Sequence, residues 1–350
     1  MNEFLDRGKS VRPGEELPEE KIHFWLKNFL PDLKGEAEIT QFTGGASNWT
    51  YRLKYENHDL ILRRPPAGTK AASAHDMNRE FTVQQKLSGH YPVAEMIALC
   101  KDPEILGCDF YVMKRVEGII FRANLPKDLS LKKEKVRALC ENMIDNLVKL
   151  HQLNLKEVGL ENFGKGAGYA KRQIDGWSER YKKAKTWNVP SCNYVIDWLK
   201  ENLPAKEYTC LIHNDYRFDN LIYDANNFSI IGVLDWEMAT IGDPLMDLGN
   251  SLAYWIQADD DFFARGTRRQ PTNVAGMFTR KEVVNYYCRK MNFDTRNFTF
   301  YEVYGIFRLA VIVQQIYYRY YHRQTKNPIF KNFWLLVNYL NWRARKLIKQ

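Results

Sequence analysis

Two spacings of hydrophobic residues follow one another along the chain. In the first third, apolar and polar residues alternate over short runs separated by Gly, Pro and Asn, which is typical of half-buried strands. Later segments repeat apolar residues at every third or fourth position, as amphipathic helices do. The pattern therefore predicts an α+β protein with a β-rich N-terminal part and a mainly helical C-terminal part. The strands are predicted at 39–42, 49–55, 60–63 and 109–116, and the helices at 17–30, 74–87, 130–153, 298–322 and 330–347.

Local signals add one helix start and one segment without regular structure. Thr279 and Glu282 have the spacing of a capping box, which predicts a helix beginning there. Residues 155–190 contain a G-x-G-x-G run at 164–168. No apolar strand precedes this run and no helix-spaced run directly follows it, so it is not a nucleotide-binding fingerprint. We expect residues 155–190 to form a loop over an active site or a plain connector.

Composition limits the class of protein. A hydrophobic fraction of 45% and an aromatic fraction of 14% over 350 residues fit a folded chain large enough for two lobes. The six cysteines include no C-x-x-C pair, which disfavours a zinc ribbon or a disulfide framework and fits a reducing cytoplasm. The N-terminus lacks the apolar core of a signal peptide, and the apolar segment 298–321 is interrupted by polar residues. We therefore expect a cytoplasmic protein without a membrane partner.

The charge of the chain favours a negatively charged partner. The net charge is +9 and the isoelectric point is near 9.0. This balance allows anionic small molecules as well as nucleic acid. The sequence contains no zinc finger, basic arm or aromatic-basic ribonucleoprotein motif, so we expect no nucleic-acid partner. The oligomeric state stays open.

One stretch of the second half carries the candidate chemistry. Asp215 follows a short apolar run, Asn220 comes five positions later, and Asp235 follows two short strands predicted at 221–223 and 228–234. Folding of that hairpin is expected to bring the three side chains together. Two carboxylates and one amide supply only oxygen donors, which suit Mg²⁺. The same order occurs in kinases, where an Asp accepts the proton of the substrate hydroxyl, an Asn binds a metal ion, and a later Asp binds the metal that bridges the phosphates.

The motif H-N-D-Y-R-F-D-N, followed by V-L-D-W-E and I-G-D-P-L-M-D-L-G, resembles the corresponding motifs of the aminoglycoside phosphotransferase family. Members of that family have a two-lobed, protein-kinase-like fold. The chain is most similar to the branch that includes the kinase-like domain fused to some acyl-CoA dehydrogenases. The resemblance implies that Asp215 is the catalytic base and that Asn220 and Asp235 are Mg²⁺ ligands. It also implies that Asp247 braces the catalytic loop by accepting backbone hydrogen bonds.

Other acids in this stretch have simpler explanations. Asp219, Asp224 and Asp243 are expected to be turn or cap residues. The family more often has Gly where Asn214 stands, a change that removes no chemical group.

The N-terminal third supplies the expected nucleotide contacts. By the resemblance, a glycine-containing loop in the hairpin between the first two strands covers the phosphates of ATP, because glycine lets backbone N–H groups approach closely. The next strand presents Arg63 where kinases have Lys, with Glu80 of the following helix as its partner. The link between lobes then faces adenine, and a boundary near residue 117 separates a nucleotide-binding lobe, 1–117, from a catalytic and acceptor-binding lobe, 118–350. The predicted nucleotide contacts are Gly44, Gly45, Ser47, Asn48, Arg63, Glu80, Met113, Lys114 and Val116.

These features predict transfer of the γ-phosphoryl group of ATP, with Mg²⁺, to a hydroxyl of a small molecule. Arginines outnumber acids after residue 249, which favours an anionic acceptor over a polycationic one. The branch resemblance points to a hydroxyacyl-CoA. An aminoglycoside kinase is the first alternative, and a non-catalytic nucleotide-binding regulator is the second, because Arg63 replaces Lys. The candidate acceptor contacts are Arg308, Gln315, Tyr318 and Arg319.

Overall fold

The computed structural model of the chain describes residues 8–42, 48–66, 76–126, 129–296 and 298–350. The strands are β1 Glu38–Gln41, β2 Trp49–Lys54, β3 Asp59–Arg64, β4 Met96–Cys100, β5 Phe110–Lys114, β6 Cys210–Ile212, β7 Leu221–Tyr223, β8 Ile230–Val233 and β9 Thr240–Gly242. The helices are α1 Glu19–Leu26, α2 Met77–Leu87, α3 Pro103–Leu106, α4 Lys133–His151, α5 Tyr169–Ala184, α6 Asn193–Glu201, α7 Pro244–Ala253, α8 Phe262–Gly266, α9 Arg280–Met291, α10 Thr299–Tyr321 and α11 Phe333–Ile348.

The chain divides into two compact units. The first contains residues up to Phe121 together with 158–160 and 219–239, and the second contains 122–157, 161–218 and 240–350. The sequence placed a single boundary near residue 117. The division in the structure differs from it because the hairpin of β7 and β8 groups with the N-terminal part.

A five-stranded antiparallel sheet forms the centre of the first unit, with the strand order β1-β2-β3-β5-β4. Successive residues of β3 and β5 point to opposite faces, and both faces are covered. Leu60, Leu62 and Val112 pack in the cluster that contains the residues of α1, whereas Ile61 and Met113 pack in the cluster that contains those of α2. Because both faces are buried, β5 reads as a continuous apolar run.

The hairpin of β7 and β8 joins this unit through backbone pairing. Ile119 and Tyr223 exchange two N–H···O hydrogen bonds of 2.8 Å, and the N–H of Val233 donates to the carbonyl of Pro92 at 2.8 Å. Gly118 leaves no room for a Cβ, which would lie against Ile222 and Tyr223. These contacts place the two residues that flank the hairpin, Asn220 and Asp235, in the first unit.

The second unit is mainly helical and is built around α10, which packs against α5, α6, α7 and α11. Every residue of α7 is buried. At the crossing of α7 and α10, a Cβ on Gly249 would meet the backbone of Tyr301, and a Cβ on Gly305 would meet the backbone of Gly249. The two glycines therefore allow the helices to approach at backbone distance.

The predicted α+β composition is confirmed, and so are the capping box of Thr279 and Glu282 and the helices and strands named above. The prediction for 155–190 is wrong, because α5 occupies much of this segment. The apolar side of α5 repeats at spacings of three and four, but Lys and Arg between these positions obscured it in the sequence. The residues on that side, all buried, are Ala170, Ile174, Trp177, Tyr181 and Ala184.

The G-x-G-x-G run ends at the start of α5. Gly168 has φ +74°, and the N–H groups of Gly168, Tyr169 and Ala170 all donate to the carboxylate of Glu207, at 2.7 to 3.2 Å. The donors that a phosphate would need at this helix end are thus bound by a carboxylate of the chain itself.

Two features bear on the environment of the protein. In the part of the chain that the structure describes, no helix has both the length and the apolar run needed to cross a membrane. All six cysteines are free thiols, and all except the half-buried Cys108 are buried.

The helix crossing yields a stability prediction. Gly249→Ala should lower the free energy of unfolding by about 1–3 kcal/mol or more, because the added methyl group overpacks a backbone-to-backbone contact. The matched control is Gly176→Ala in α5, where a Cβ meets nothing within 4 Å. That control should gain about 0.5–1 kcal/mol from helix propensity. Urea unfolding of both variants checks this, and equal effects of the two substitutions would contradict it.

Candidate active site

In the first unit, one guanidinium joins two carboxylates. Arg63 lies near the end of β3, and its Nη2 is 3.2 Å from Oε1 of Glu80 in α2 and 3.1 Å from Oδ1 of Asp235. The ion pair between Arg63 and Glu80 that the sequence predicts is present. Asp235 was not expected as a partner of Arg63, because only the hairpin packing brings residue 235 to β3.

This cluster is buried and strongly charged. Burial works against the charge of Arg63, but the carboxylates of Glu80 and Asp235 outweigh it, and the pKa of Arg63 is raised well above its ordinary value. Glu80 is almost fully buried, so its position is determined by packing. The cluster therefore holds a permanent positive charge at a fixed point of the sheet.

Asn220 and Asp235 lie at the open end of the hairpin. The N–H of Leu234 donates to the carbonyl of Asn220 at 2.8 Å, which brings the two predicted metal ligands to neighbouring strands. Asp235 has φ +67°, a left-handed conformation that is uncommon outside Gly but tolerated by Asp and Asn. This bend ends β8 and starts a short 3₁₀ turn at Trp236.

The donors at this end fit a magnesium ion. Arg63 reaches Oδ1 of Asp235, whereas Oδ2 receives no hydrogen bond from the residues that the structure describes, and 29% of the side chain is exposed. A partly exposed carboxylate beside an amide supplies part of an oxygen ligand set, which Mg²⁺ completes with water and phosphate.

The predicted phosphate loop is only partly described. Gly44, Gly45 and Ser47 lie outside the described residues. Asn48, at its C-terminal side, is buried, and its Nδ2 donates to Oε2 of Glu237 at 3.2 Å. The base of the loop is thus tied to the turn that follows Asp235.

The three predicted adenine contacts lie at the end of β5. Met113 is buried among the residues of the α2 side, and Val116 packs against the same cluster. The N–H of Lys114 donates to the carbonyl of Glu95 at 2.8 Å, and the side chains of these two residues form an exposed ion pair. The backbone N–H of Lys114 is therefore not available to a base.

In the second unit, Asp247 braces the loop that carries Asp215, which we call the Asp215 loop (residues 213–218). Its Oδ2 accepts the N–H of His213 at 2.8 Å, and its Oδ1 accepts the N–H of Asn214 at 2.7 Å. The structure thus contains the backbone hydrogen bonds that the family resemblance implies. Asp247 is completely buried in the first turn of α7, so the carboxylate is rigid.

A buried histidine supports the brace. Nε2 of His151, at the end of α4, is 3.1 Å from Oδ2 of Asp247, and Nδ1 is 2.6 Å from the hydroxyl of Tyr287. Because an ionised carboxylate only accepts, we assign the hydrogen of this contact to Nε2. Burial alone would raise the pKa of Asp247, but the hydrogen bonds from His151 and His213 outweigh it and lower the pKa below its ordinary value.

Hydrogen bonds with α4 and with Gln270 hold the rest of the Asp215 loop. The hydroxyl of Tyr216 accepts from Nδ2 of Asn146 at 2.9 Å and donates to the carbonyl of Met143 at 3.0 Å, both in α4. The N–H of Phe218 donates to Oε1 of Gln270 at 2.9 Å. Asp215 therefore sits between fixed points, which is the support that a precisely oriented side chain needs.

The structure gives a reason for Asn at position 214, where the family more often has Gly. Its φ is +66°, the left-handed region that favours Gly and, next to Gly, Asn. Its buried Oδ1 accepts hydrogen bonds from the hydroxyl of Tyr169 at 3.1 Å and from Nδ2 of Asn250 at 3.0 Å. Asn214 therefore meets the backbone requirement and also ties the loop to α5 and α7.

The side chain of Asp215 is one-fifth exposed and is held by a neighbour. Its Oδ2 is 3.1 Å from Nη2 of Arg217, whose guanidinium lies over the ring of Tyr254 at 4.7 Å. This contact orients the carboxylate while its charge stays available. Arg217 was not among the residues predicted from the sequence, although its D-x-R spacing from Asp215 is a local signal for this contact.

The structure thus assembles two groups of the predicted residues. Arg63, Glu80, Asn220 and Asp235 are together in the first unit, and Asp215 lies in the second unit on a loop that Asp247 holds. Their meeting around one metal-bound nucleotide stays a prediction. Of the expected cap and turn acids, Asp243 caps α7 and Asp224 accepts two backbone N–H groups in the hairpin turn.

A β-rich unit with a buried Arg–Glu pair and a helical unit with a braced H-N-D loop together define a kinase-like phosphotransferase. The chain belongs to the phosphotransferase enzyme family (APH), whose profile matches residues 38–282. Both the predicted family and the predicted kinase-like fold are confirmed.

Relatives and solved structures agree with this assignment. The chain is 34% identical to acyl-CoA dehydrogenase family member 10 of Mus musculus over 316 residues, covering 89% of the chain and 29% of the relative. It is 34% identical to family member 11 of Homo sapiens over 319 residues, covering 89% and 40%. The chain therefore spans well under half the length of these relatives. A crystal structure of a putative aminoglycoside phosphotransferase from Ralstonia eutropha JMP134 matches with a TM-score of 0.81 and 25% identity, covering 95% of this chain and 99% of that one.

The hydrogen bonds of Asp247 predict that its substitution makes the Asp215 loop less ordered. Asp247→Asn places an NH₂ group where two N–H donors need acceptors, and should cost about 1–3 kcal/mol for each donor left unsatisfied. The amides of His213 and Asn214 should also exchange with deuterium faster than in the wild type. Urea unfolding and amide exchange measure the two effects. Asp197→Asn, on the exposed face of α6, is the control and should change neither; unchanged exchange in Asp247→Asn would show that the brace is dispensable.

Proposed function

We propose that the chain transfers the γ-phosphoryl group of ATP to a hydroxyl of a small molecule. The observation that carries this proposal is the Asp215 loop, whose backbone is bound by Asp247 and whose carboxylate is oriented by Arg217. Phosphoryl transfer requires positioning and charge neutralisation more than covalent chemistry, and a rigid loop with one oriented carboxylate meets the positioning requirement.

Asp215 acts on the acceptor in this proposal. Its carboxylate accepts a hydrogen bond from the acceptor hydroxyl and takes up the proton as the hydroxyl oxygen forms its bond to the γ-phosphorus. The bond between that phosphorus and the oxygen that bridges to the β-phosphate breaks, and ADP leaves. The fixed backbone on both sides keeps the carboxylate in one orientation, which favours a single approach of the hydroxyl.

The nucleotide contacts are assigned to the first unit. Arg63 contributes a permanent charge to the phosphates, and Glu80 holds its side chain in place. The loop of Gly44, Gly45, Ser47 and Asn48 is assigned to the phosphates as well. Met113, Lys114 and Val116 are assigned to adenine, with Lys114 contributing through groups other than its N–H.

Asn220 and Asp235 are the residues that would hold Mg²⁺. The amide oxygen of Asn220 and Oδ2 of Asp235 are the kind of oxygen donors that this ion prefers. When bound, Mg²⁺ neutralises charge on the phosphate oxygens.

A hydroxyacyl-CoA is the acceptor that we propose. Two lines of support exist: the relatives named above are acyl-CoA dehydrogenase family members, and arginines outnumber acids after residue 249. Not all of these arginines are available, since Arg280 forms a bidentate pair with Asp260 at 2.6 and 2.9 Å. The six free cysteines fit the reducing cytoplasm in which we place the reaction.

The role of Asp215 can be tested by one substitution. Asp215→Asn keeps the shape of the side chain but not its basicity, and should reduce turnover by about 100- to 10,000-fold while ATP binding changes little. The measurement is ATP consumption with a hydroxyacyl-CoA, next to calorimetric binding of ATP. Asp224→Asn, in the exposed hairpin turn, serves as control. Full turnover in Asp215→Asn would remove Asp215 from its role.

The metal assignment has a separate readout. Asp235→Asn removes a carboxylate ligand and should weaken the Mg²⁺-dependent part of ATP binding by about 10-fold or more, as loss of a metal contact usually does. ATP titrations with and without Mg²⁺ measure this part. Asp224→Asn again serves as control, because it lies in the same hairpin. The same Mg²⁺ dependence in Asp235→Asn and wild type would rule the assignment out.

The acceptor is tested by comparing classes. ATP consumption is measured with hydroxyacyl-CoAs and with an aminoglycoside panel under the same conditions. Turnover of the aminoglycosides alone would replace the proposed acceptor. Mg²⁺-dependent ATP binding without turnover of any hydroxyl compound would indicate a nucleotide-binding regulator.

A further inference from the structure

Arg308 is a buried cation without an acidic partner. It lies in the middle of α10 and is only 3% exposed. Among the described residues it forms no ion pair and no hydrogen bond through its side chain; its guanidinium lies over the ring of Trp177, at 5.2 Å from the centroid. A buried charge is normally paired, because removing it from water is costly. The ring contact alone offsets only part of that cost.

A second cation lies at the same ring. The guanidinium of Arg180, which is on the exposed side of α5, is 4.5 Å from the centroid of Trp177. No carboxylate of the described residues forms a salt bridge with either arginine. Two positive charges at one ring repel each other, and an anion that binds either guanidinium reduces that repulsion.

The buried polar groups around Arg308 reach the Asp215 loop. Tyr304 is one helical turn before Arg308, and its buried hydroxyl lies beside Trp177, the residue whose ring Arg308 covers. The buried Oδ1 of Asn250 has no hydrogen-bond partner among the described residues. Gly305 follows Tyr304 and Gly249 precedes Asn250, so both residues lie next to the close backbone crossing of α10 and α7.

Tyr169 completes the connection. Its hydroxyl donates to Asn214, the residue before Asp215. Burial raises the pKa of Tyr169, and the positive charge of Arg308 opposes that rise, as expected for a guanidinium close to this phenol. Arg308 is therefore part of a polar cluster that continues into the backbone of the Asp215 loop.

We propose that Arg308 binds an anionic oxygen group of the acceptor, a carboxylate or a phosphate, and so selects acceptors whose hydroxyl is carried on a molecule with such a group. The acceptor role rests on the proposed phosphotransfer, whereas the anion site itself does not. A guanidinium offers forked donors that match these groups, and its low-dielectric surroundings strengthen the pairing. A neutral or cationic acceptor would leave the charge of Arg308 buried and unpaired, which discriminates against it.

The test uses four probes that share a six-carbon chain. They are 6-hydroxyhexanoate, its primary amide, its CoA thioester, and the monophosphate of 1,6-hexanediol. Binding to the wild type is measured by calorimetry in the presence of ADP and Mg²⁺. The carboxylate or the phosphate should bind at least about 10-fold more tightly than the amide, because a charge-assisted pair replaces a neutral hydrogen bond. Comparison of the carboxylate, the monophosphate and the CoA thioester shows whether the site binds a carboxylate, a simple phosphate or the phosphates of CoA.

Variants then assign the preference to one residue. Arg308→Met should weaken binding of the preferred anion by about 30-fold or more and binding of the amide by less than about 3-fold, as expected for removal of one partner of a buried charge pair. Arg308→Lys should restore part of the loss. Arg289→Met is the control, because Arg289 is an exposed arginine of another helix of the same unit, α9, and this variant should bind all probes as the wild type does.

The outcomes separate the two proposals. An unchanged ratio between anion and amide in Arg308→Met, or no preference for an anion in the wild type, would overturn the anion site. The comparison within the wild type does not depend on whether a variant folds. Anion binding that depends on Arg308, together with no phosphate transfer to any probe or hydroxyacyl-CoA, would leave the anion site standing and remove the proposed function.

Discussion

The two hydrogen bonds that Asp247 accepts from the backbone of residues 213 and 214 are the constraint on which the conformation of the Asp215 loop depends. A buried carboxylate cannot leave its donors without a large loss of free energy, so the loop has one conformation. α7 holds the carboxylate, and the close crossing of α7 with α10 holds α7. His151 completes the arrangement from α4. The backbone that carries Asp215 is thus held by groups that are themselves buried.

A comparable constraint operates in the first unit, with the charges reversed. There the buried group is the guanidinium of Arg63, and two carboxylates from different elements converge on it. Both contacts come from the same nitrogen, Nη2, so the two carboxylates share one donor group that carries a permanent charge. Arg63 therefore supplies a positive charge at the position where kinases have Lys.

Much of this could be predicted from residue spacing. The alternating strands, the stripe of α4 and the capping box of α9 each depend on neighbours within a few positions, so the sequence contains the needed information. The prediction failed for α5, where basic residues hide the buried positions and Glu207, distant in sequence, caps the helix start. The contacts of Gln270 and Tyr169 with the Asp215 loop depend on chain segments that no local pattern connects.

The sequence by itself determined the family, the α+β class and the identity of the residues that carry oxygen donors or positive charge. These could be predicted because sequence motifs and hydrophobic periodicity depend only on residues that are close together in the chain. Tertiary structure decided which of those charges found partners: Asp235 joined Arg63 through hairpin packing, Arg280 was paired with Asp260, and Arg308 was buried without an acid. Pairing depends on distances between elements far apart in the chain, and only the packed fold sets those distances.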